Sequence, residues 1–211
     1  MELLKYLNEH FFTKNELLNV SKVTEQELSG YQTQGVMPRY SYKLNLSLQS
    51  DSFFGVHNEV DEVEYYAKGY SSWLALVQSL TSENAIYAIF AQRYQTAIDN
   101  LKKEGHSSSD PKVNEGIELH IQEEWQHFLN GTYGLCTKSG LPEDIAAKEL
   151  AILEINELTA ADKLTEKQLN KLTAAVNLLD SASALFAPHE RPKSSRHRMI
   201  NEVRRIYQLQ S

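Results

Sequence analysis

Four side chains of types that bind metal ions lie close together between residues 120 and 127. They follow one another at spacings of three, one and three: His120, Glu123, Glu124 and His127. In a helix these offsets bring the side chains near one face. Glu124 and His127 form the Glu-x-x-His spacing with which helical bundles offer a carboxylate and an imidazole to one metal. The pattern predicts a metal site of His120, Glu124 and His127.

Other chemistry at this position stays open. A carboxylate-bridged di-iron site needs a second Glu-x-x-His, which the chain lacks, so a polar helix face with His–Glu pairs is the alternative. Cys136, the single cysteine, follows a glycine-containing bend and is either a nucleophile near His127 or a small buried thiol. No GxSxG, P-loop, HExxH or strand-linked GxGxxG pattern indicates a particular reaction, and no cofactor is indicated.

The predicted elements around these residues are mostly helices. Asp110-Pro111 and Asn130-Gly131 bound the helix that bears them, over residues 111–130. Apolar residues recur at three and four residues from Val60 onward, which predicts a helix with the stripe Val63, Tyr66, Tyr70, Trp73, Leu74 and Val77. Further helices are predicted to start at Thr81, Leu141 and Thr165, and a basic helix runs from about Ser195 to Leu209.

The first part of the chain has a different pattern. Residues 12–24 and 27–38 predict two short helices, and the second ends in a Gly-Val-Met-Pro stop. Polar and apolar residues alternate from Tyr40 to Leu48, which predicts a strand. A turn at residues 49–52 and a returning strand at residues 53–57 would complete a β-hairpin, or wing. The expected fold is mainly α: a winged helix-turn-helix over 1–58, an all-α helical domain over 59–190 and a basic helix over 191–211 packed on it.

Residues 12–42 resemble the helix-turn-helix of MerR-type regulators. The landmarks are Leu17, Val23, Thr24, Leu28, Tyr31, Gly35, Val36 and Pro38. The resemblance implies DNA binding, with these candidate contacts: Lys22, Ser29, Gln32, Arg39 and Lys43. Such regulators carry Arg directly after the recognition-helix Leu, where this chain has Ser29, and the helix begins with Glu25 and Glu27. A docking surface is therefore the alternative to DNA binding.

A second resemblance covers later parts of the chain. The segments Trp125-x-x-Phe128-x-x-Gly131-x-Tyr133-Gly134-Leu135-Cys136-Thr137, Pro142-Glu143-x-Ile145-Ala146-x-Lys148-Glu149 and His189-Glu190-Arg191-Pro192 carry it. They look like an uncharacterised bacterial family whose members are labelled natural-product biosynthesis proteins. That label implies a gene neighbourhood and not a reaction.

Composition and charge limit the partners. The chain has 211 residues, 41% hydrophobic and 23% charged, which is ordinary for a globular protein. No apolar run approaches the roughly 18 residues of a spanning helix, and residues 1–6 lack the pattern of a secretory signal, so no membrane contact and a cytoplasmic location are expected. The net charge is -7, yet residues 191–211 carry +5. The acidic middle repels phosphate, so nucleic acid contacts are expected only at the ends of the chain.

Two functions are consistent with these patterns. The first is a bacterial regulator or accessory binding protein that contacts DNA and whose helical body senses a small-molecule effector or a partner. Both a monomer and a homodimer stay open for it. Its ligand pocket is predicted among aromatic residues that otherwise form core: Tyr66, Tyr70, Trp73, Trp125 and Tyr133. The alternative is an enzyme or accessory factor of small-molecule biosynthesis with a site on the helix over 111–130, with Tyr133 or Cys136 nearby.

Overall fold

The computed structural model describes residues 1–80, 82–161 and 163–209, and most of them lie in helices. The α-helices of these residues are α1 (Glu2–His10), α2 (Lys14–Ser21), α3 (Glu25–Thr33), α4 (Tyr70–Ser79), α5 (Glu83–Lys103), α6 (Ile117–Leu129), α7 (Thr132–Cys136), α8 (Pro142–Thr159), α9 (Glu166–Ala182) and α10 (Glu202–Tyr207). The strands are β1 (Phe11–Thr13), β2 (Tyr42–Ser52) and β3 (Gly55–Ala67). None of the helices in this part of the chain is long and apolar enough to cross a membrane.

The first 67 residues combine three helices with a small antiparallel sheet of order β1-β3-β2. Capping boxes start two of the helices: Thr13 and Glu16 begin α2, and Thr24 and Glu27 begin α3. Each box satisfies backbone N–H groups that have no partner inside the helix. We call residues 1–67 the N-terminal module.

The hairpin of the N-terminal module is longer than its sequence pattern suggested. The turn lies at Phe53 and Phe54, after the predicted turn at 49–52, and β3 continues to Ala67. The prediction of a helix from Val60 is therefore wrong, and α4 begins at Tyr70. Residues 60–65 form a strand because they pair with β2, and Val63 lies opposite Leu44. A strand partner that is distant in the sequence cannot be recognised from local periodicity.

Trp73 of α4 lies at the centre of the core and is fully buried. Its ring contacts Phe90, Trp125 and Phe128 with centroid separations of 4.9 to 6.2 Å. The indole Nε1 donates a hydrogen bond of 2.9 Å to the Val36 carbonyl, just after α3. Trp73 thus joins the N-terminal module to the helices that follow it.

A second contact between the module and the helices passes through a glycine turn after α6. The Arg39 N–H donates to the Leu129 carbonyl at 2.9 Å. Gly131 has a φ of +79°, and a Cβ at this position would lie 2.4 Å from the Tyr40 carbonyl oxygen. Backbone approaches backbone here at a distance that only glycine permits.

The basic C-terminal segment packs on α9, and its helix is broken. A π-helical turn (His197–Asn201) precedes α10, and Ile200 and Val203 are buried against α9. Arg196 and Arg204 both bind Asp180 near the end of α9, the latter with Nη1 2.7 Å from Oδ2. Helix α9 ends at Ala182.

Replacing Asp180 with asparagine is expected to lower the free energy of unfolding at neutral pH by about 1–2 kcal/mol, because Arg196 and Arg204 lose a charged acceptor. Burial raises the pKa of Asp180, but hydrogen bonds and charges from both arginines outweigh it and leave that pKa lowered. A carboxyl with a lowered pKa in the folded state stabilises the protein above its unfolded pKa, and this stability is lost as the pH falls through the folded pKa.

The difference in the free energy of unfolding between wild type and Asp180→Asn should therefore become smaller below about pH 4. Urea unfolding at neutral and acid pH measures it. Asp51→Asn, at an exposed position of the hairpin, is the control and should change little. A difference that stays constant across this pH range would contradict the ion-pair explanation.

Candidate functional site

The predicted metal residues of α6 have different surroundings. His120 and Glu124 are 4% and 5% exposed, whereas His127 is exposed. His120 Nε2 lies 3.7 Å from Glu124 Oε1 and also 3.7 Å from Glu149 Oε1 of α8. The sequence spacing found the first contact and missed the second, because Glu149 comes from another helix.

Two tyrosines cover this buried group. Tyr133 donates a hydrogen bond to Glu124, and the fully buried Tyr94 packs its ring against His120. Burial raises the pKa of Glu124, against the hydrogen bond from Tyr133. Burial, followed by the charges of Glu124 and Glu149, raises the pKa of Tyr94 well above its ordinary value. The tyrosine hydroxyls therefore stay protonated at neutral pH.

The structure does not assemble the predicted metal site. Among the residues it describes, no group of three or more His, Cys, Asp and Glu side chains is placed to hold a metal ion. Both ring nitrogens of His120 and the Tyr94 hydroxyl are shielded from solvent, and none of them has a hydrogen-bond partner among the residues that the structure describes. The cluster connects α6 with α8, and the His120 ring at its centre is not accessible to a substrate.

The five candidate DNA contacts are spread over the N-terminal module. Lys22, Ser29 and Arg39 are exposed. Gln32 is partly buried and its amide donates to the Pro38 carbonyl at 3.0 Å, while Lys43 Nζ lies 2.8 Å from Glu62 Oε2. Two of the five side chains are thus already bound within the protein.

The exposed face of α3 contains no lysine or arginine. Its exposed residues are Glu25, Gln26, Glu27, Ser29 and Thr33. The nearest lysine on α2, Lys14, is bound to Glu25 at 3.1 Å and to Glu64 at 3.0 Å. The face is neutral to acidic, which does not favour phosphate contacts.

The aromatic residues predicted to line a ligand pocket belong mostly to the core. They are Tyr66 (1% exposed), Tyr70 and Trp73 (both 0%), Trp125 (8%) and the partly buried Tyr133. Tyr66 donates to Glu64 at 2.9 Å, and Trp73 lies 6.0 Å from Trp125 between ring centroids. None of these five residues lines the cleft between the N-terminal module and α9.

A cleft of about 430 Å³ lies between the N-terminal module and the end of α9; we call it the α1–α9 cleft. Side chains from distant parts of the chain line it, among them Tyr6, His10, Phe11, Lys138, Ser183 and Arg196. An antiparallel bridge between Thr137 and Ser183 shapes one wall. Most of the wall is apolar, and a few polar groups face the same space.

Those polar groups favour an anion, since Asp180, the one carboxylate among the described lining residues, is paired with Arg196 and Arg204. Lys138 is exposed and forms no ion pair with the described residues. The Ser183 hydroxyl is buried, and no residue of the described chain accepts or donates a hydrogen bond to it. Burial, and next the charge of Glu190, raise the pKa of Tyr6 to about 12, so its hydroxyl stays neutral. A ligand with an anionic group and an apolar part matches these groups.

Nothing in the sequence spacing pointed to this cleft. Its walls come from residues 6–11, 67, 134–138, 180–185 and 196, which only the folded chain brings together. The nearest local signal is the glycine-containing stretch from Gly131 to Gly140. At Gly134 a Cβ would lie 2.1 Å from the Ser41 hydroxyl, so glycine lets the module approach the body beside the cleft.

Comparison with known proteins gives one match. A protein-family model described as a family of unknown function (DUF6058) matches residues 86–208. This range, more than half of the chain, runs from within α5 to the end of α10 and leaves out the N-terminal module. No curated protein and no solved structure matches the chain.

Proposed function

The chain belongs to the DUF6058 family, whose function is unknown, and we propose that it is a regulatory or accessory binding protein. In this proposal a winged helix-turn-helix is fixed on a helical body, and a small organic anion binds between them. The observation that carries the proposal is the α1–α9 cleft, because both parts of the chain form its walls.

The order of elements supports a winged helix-turn-helix in the N-terminal module. Helices α2 and α3 follow each other after a turn of three residues, and the long β2–β3 hairpin comes next in the position of a wing. Strand β1, between α1 and α2, pairs with β3 and so completes a small sheet beside the helix pair. A helix-turn-helix is a common element of regulators, although a fold alone does not establish what it binds.

The α1–α9 cleft supports binding of an organic anion. Its volume lies within the range of about 300–1,000 Å³ that is typical of small-molecule sites. Tyr6 and Phe11 of the module supply aromatic surface, and Lys138 of the body supplies a cation. A bound carboxylate or sulfonate with an aromatic or aliphatic part would touch both parts and hold the module more firmly.

The buried cluster around His120 supports binding more than catalysis. A general acid or base must reach the proton that it transfers, either directly or through one water molecule. The ring nitrogens of His120 are shielded from solvent by the surrounding helices. Catalysis by His120 would require this cluster to open, whereas the α1–α9 cleft is accessible as it stands.

Binding of 1-anilinonaphthalene-8-sulfonate, an aromatic sulfonate, tests the proposal. We expect one site per chain in a fluorescence titration. Lys138→Ala should weaken binding by about tenfold or more, because a charged hydrogen-bond partner is lost. Ala184→Phe should abolish it by filling the cleft, which Ala184 lines.

Lys171→Ala is the matched control, since Lys171 is an exposed lysine earlier on α9. It removes the same charge away from the cleft and should leave binding unchanged. Equal affinity in wild type, Lys138→Ala and Ala184→Phe would show that the dye binds elsewhere and would refute the cleft as the ligand site.

Duplex DNA is expected to bind weakly, in the non-specific range of about 10⁻⁴–10⁻⁶ M at physiological salt, because α3 presents no cation. What binding there is should depend on Lys22 and Arg39, the exposed cations beside α3. The double substitution Lys22→Ala with Arg39→Ala should lower the slope of log K against log salt by about 2. Mobility shift at two salt concentrations measures this.

His127→Ala is the control for that assay, because His127 lies on α6 outside the N-terminal module. Its salt slope should equal that of the wild type. Tight, sequence-selective binding that survives the double substitution would contradict the weak electrostatic contact expected here.

A further inference from the structure

The tip of the β2–β3 hairpin carries the most exposed large apolar side chains of the molecule. Phe53 is 98% exposed and Phe54 is 96% exposed, and their rings meet edge to face with centroids 5.4 Å apart. Val60 and Val56 on β3 are 82% and 61% exposed. We call residues 45–62 the ribbon. Contiguous exposed apolar surface of this kind usually marks an interaction site.

The ribbon is also strongly acidic. It contains four carboxylates, Asp51, Glu59, Asp61 and Glu62, and neither lysine nor arginine. Every residue from Ser47 to Asp61 is exposed, so the charges of Asp51, Glu59 and Asp61 face solvent, whereas Glu62 is paired with Lys43. Phosphate groups of nucleic acid or of anionic lipids would be repelled. The surface that covers the ribbon must therefore combine a cavity for aromatic rings with positive charge.

The same chain has such a surface at its other end. A cleft of about 440 Å³, which we call the C-terminal cleft, is lined by Leu185, Arg191, Pro192, Ser194, Arg196 and His197, together with Asn201. Leu185 is 49% exposed and offers an apolar floor. The exposed cations Lys193 and Arg198 lie beside it in the chain. The C-terminal cleft thus has an exposed cation, Arg191, and an apolar part at Leu185, while Arg196 in its lining is paired with Asp180.

We propose that the ribbon of one chain inserts its tip into the C-terminal cleft of a second copy. Opposite charge on the two surfaces favours this pairing, and the apolar groups of each find a partner in the other. Reciprocal exchange of two ribbons gives a closed twofold dimer, the commonest symmetry of homo-oligomers. With a rise of about 3.3 Å per residue, the ribbon extends roughly 25–30 Å, enough to reach across to a neighbour.

This contact involves a cleft that shares Leu185 and Arg196 with the α1–α9 cleft but requires no ligand there. Its test is the oligomeric state of the full chain. Sedimentation equilibrium at micromolar concentration and low salt should give twice the mass of one chain, with weaker association at high salt. Phe53→Ser with Phe54→Ser should weaken association by at least about 30-fold, as expected when central contact residues are removed.

The double substitution should leave the fold intact, because both phenylalanines are almost fully exposed. Val20→Ser is the matched control: Val20 is a 58% exposed apolar residue on α2, outside the proposed contact. It should leave the mass unchanged. A monomeric wild type at low salt, or a phenylalanine variant that associates as the wild type does, would overturn the proposal.

Charge reversal tests which surfaces meet. Glu59→Lys with Asp61→Lys on the ribbon should give monomers, and so should Lys193→Glu with Arg198→Glu beside the C-terminal cleft. The chain that carries all four substitutions should associate again, since attraction is restored with opposite sign. Failure of this chain to associate, while it remains folded by circular dichroism, would show that the two surfaces are not partners.

Discussion

Trp73→Ala is expected to lower the free energy of unfolding by about 3–5 kcal/mol, the range for removing a large buried aromatic side chain. Trp73 is fully buried among Phe90, Trp125 and Phe128, so the substitution leaves a cavity that these rings cannot close. It also leaves the Val36 carbonyl without its hydrogen-bond donor. Urea unfolding followed by circular dichroism measures the change.

Trp73→Phe separates the two causes. It keeps most of the aromatic volume and removes the indole N–H, so we expect a smaller loss of about 1–3 kcal/mol from the unsatisfied carbonyl. Leu119→Ala, at a 64% exposed position of α6, is the control and should stay within about 0.5 kcal/mol of wild type. A loss for Trp73→Ala no greater than that of the control would contradict the central position of this residue.

Gly131→Ala should cost about 2–5 kcal/mol, for two reasons that add. A positive φ is unfavourable for alanine by about 1–2 kcal/mol. In addition, the new Cβ would lie 2.4 Å from the Tyr40 carbonyl and 2.8 Å from that of Arg39, so backbone must move. The N-terminal module would be pushed away from α6. Urea unfolding should therefore also show a less cooperative transition.

Gly30→Ala is the matched control, because Gly30 lies within α3 and a Cβ there meets nothing within 4 Å. It should stabilise the protein by about 0.5–1 kcal/mol through helix propensity. If both glycines tolerated alanine equally well, the close approach between Gly131 and Tyr40 would not be a constraint in solution.

Local signals predicted much of the fold. The two short helices expected over 12–24 and 27–38 are present as α2 and α3, although α3 begins at Glu25 and ends at Thr33. Pro142 lies at the start of α8, where a helix was expected to begin at Leu141. Helix α5 was likewise expected, with a start at Thr81, a residue outside the described part of the chain. These features depend on residues within one turn of each other, which is why the sequence alone reveals them.

Pairing between distant segments was not predictable in the same way. The residues Val63 and Tyr66 repeat at helical spacing, yet they lie in β3 because β2 offers a complete ladder of partners. The C-terminal helix was expected to be continuous, but Arg196 and Arg204 both bind Asp180 around a π-helical turn. Long-range partners override local periodicity in both cases.

In the candidate sites, too, contacts within one helix were predictable from the sequence and contacts between distant segments were not. His120 and Glu124 share one helix, so their contact followed from a spacing of four. Glu149 completes the cluster from α8 and gave no signal. The α1–α9 cleft combines Phe11 with Lys138, residues whose proximity depends on how the module packs on the body.

Hydrogen exchange measured with and without 1-anilinonaphthalene-8-sulfonate tests the central claim most directly, since exchange reports local opening along the chain. The claim is that a ligand binds between the N-terminal module and the helical body. It predicts slower exchange on both walls of the cleft, at residues 6–11 and at residues 137–138 and 181–185, and loss of this protection in Lys138→Ala. Protection confined to one wall, or to the exposed hairpin tip around Phe53, would contradict it.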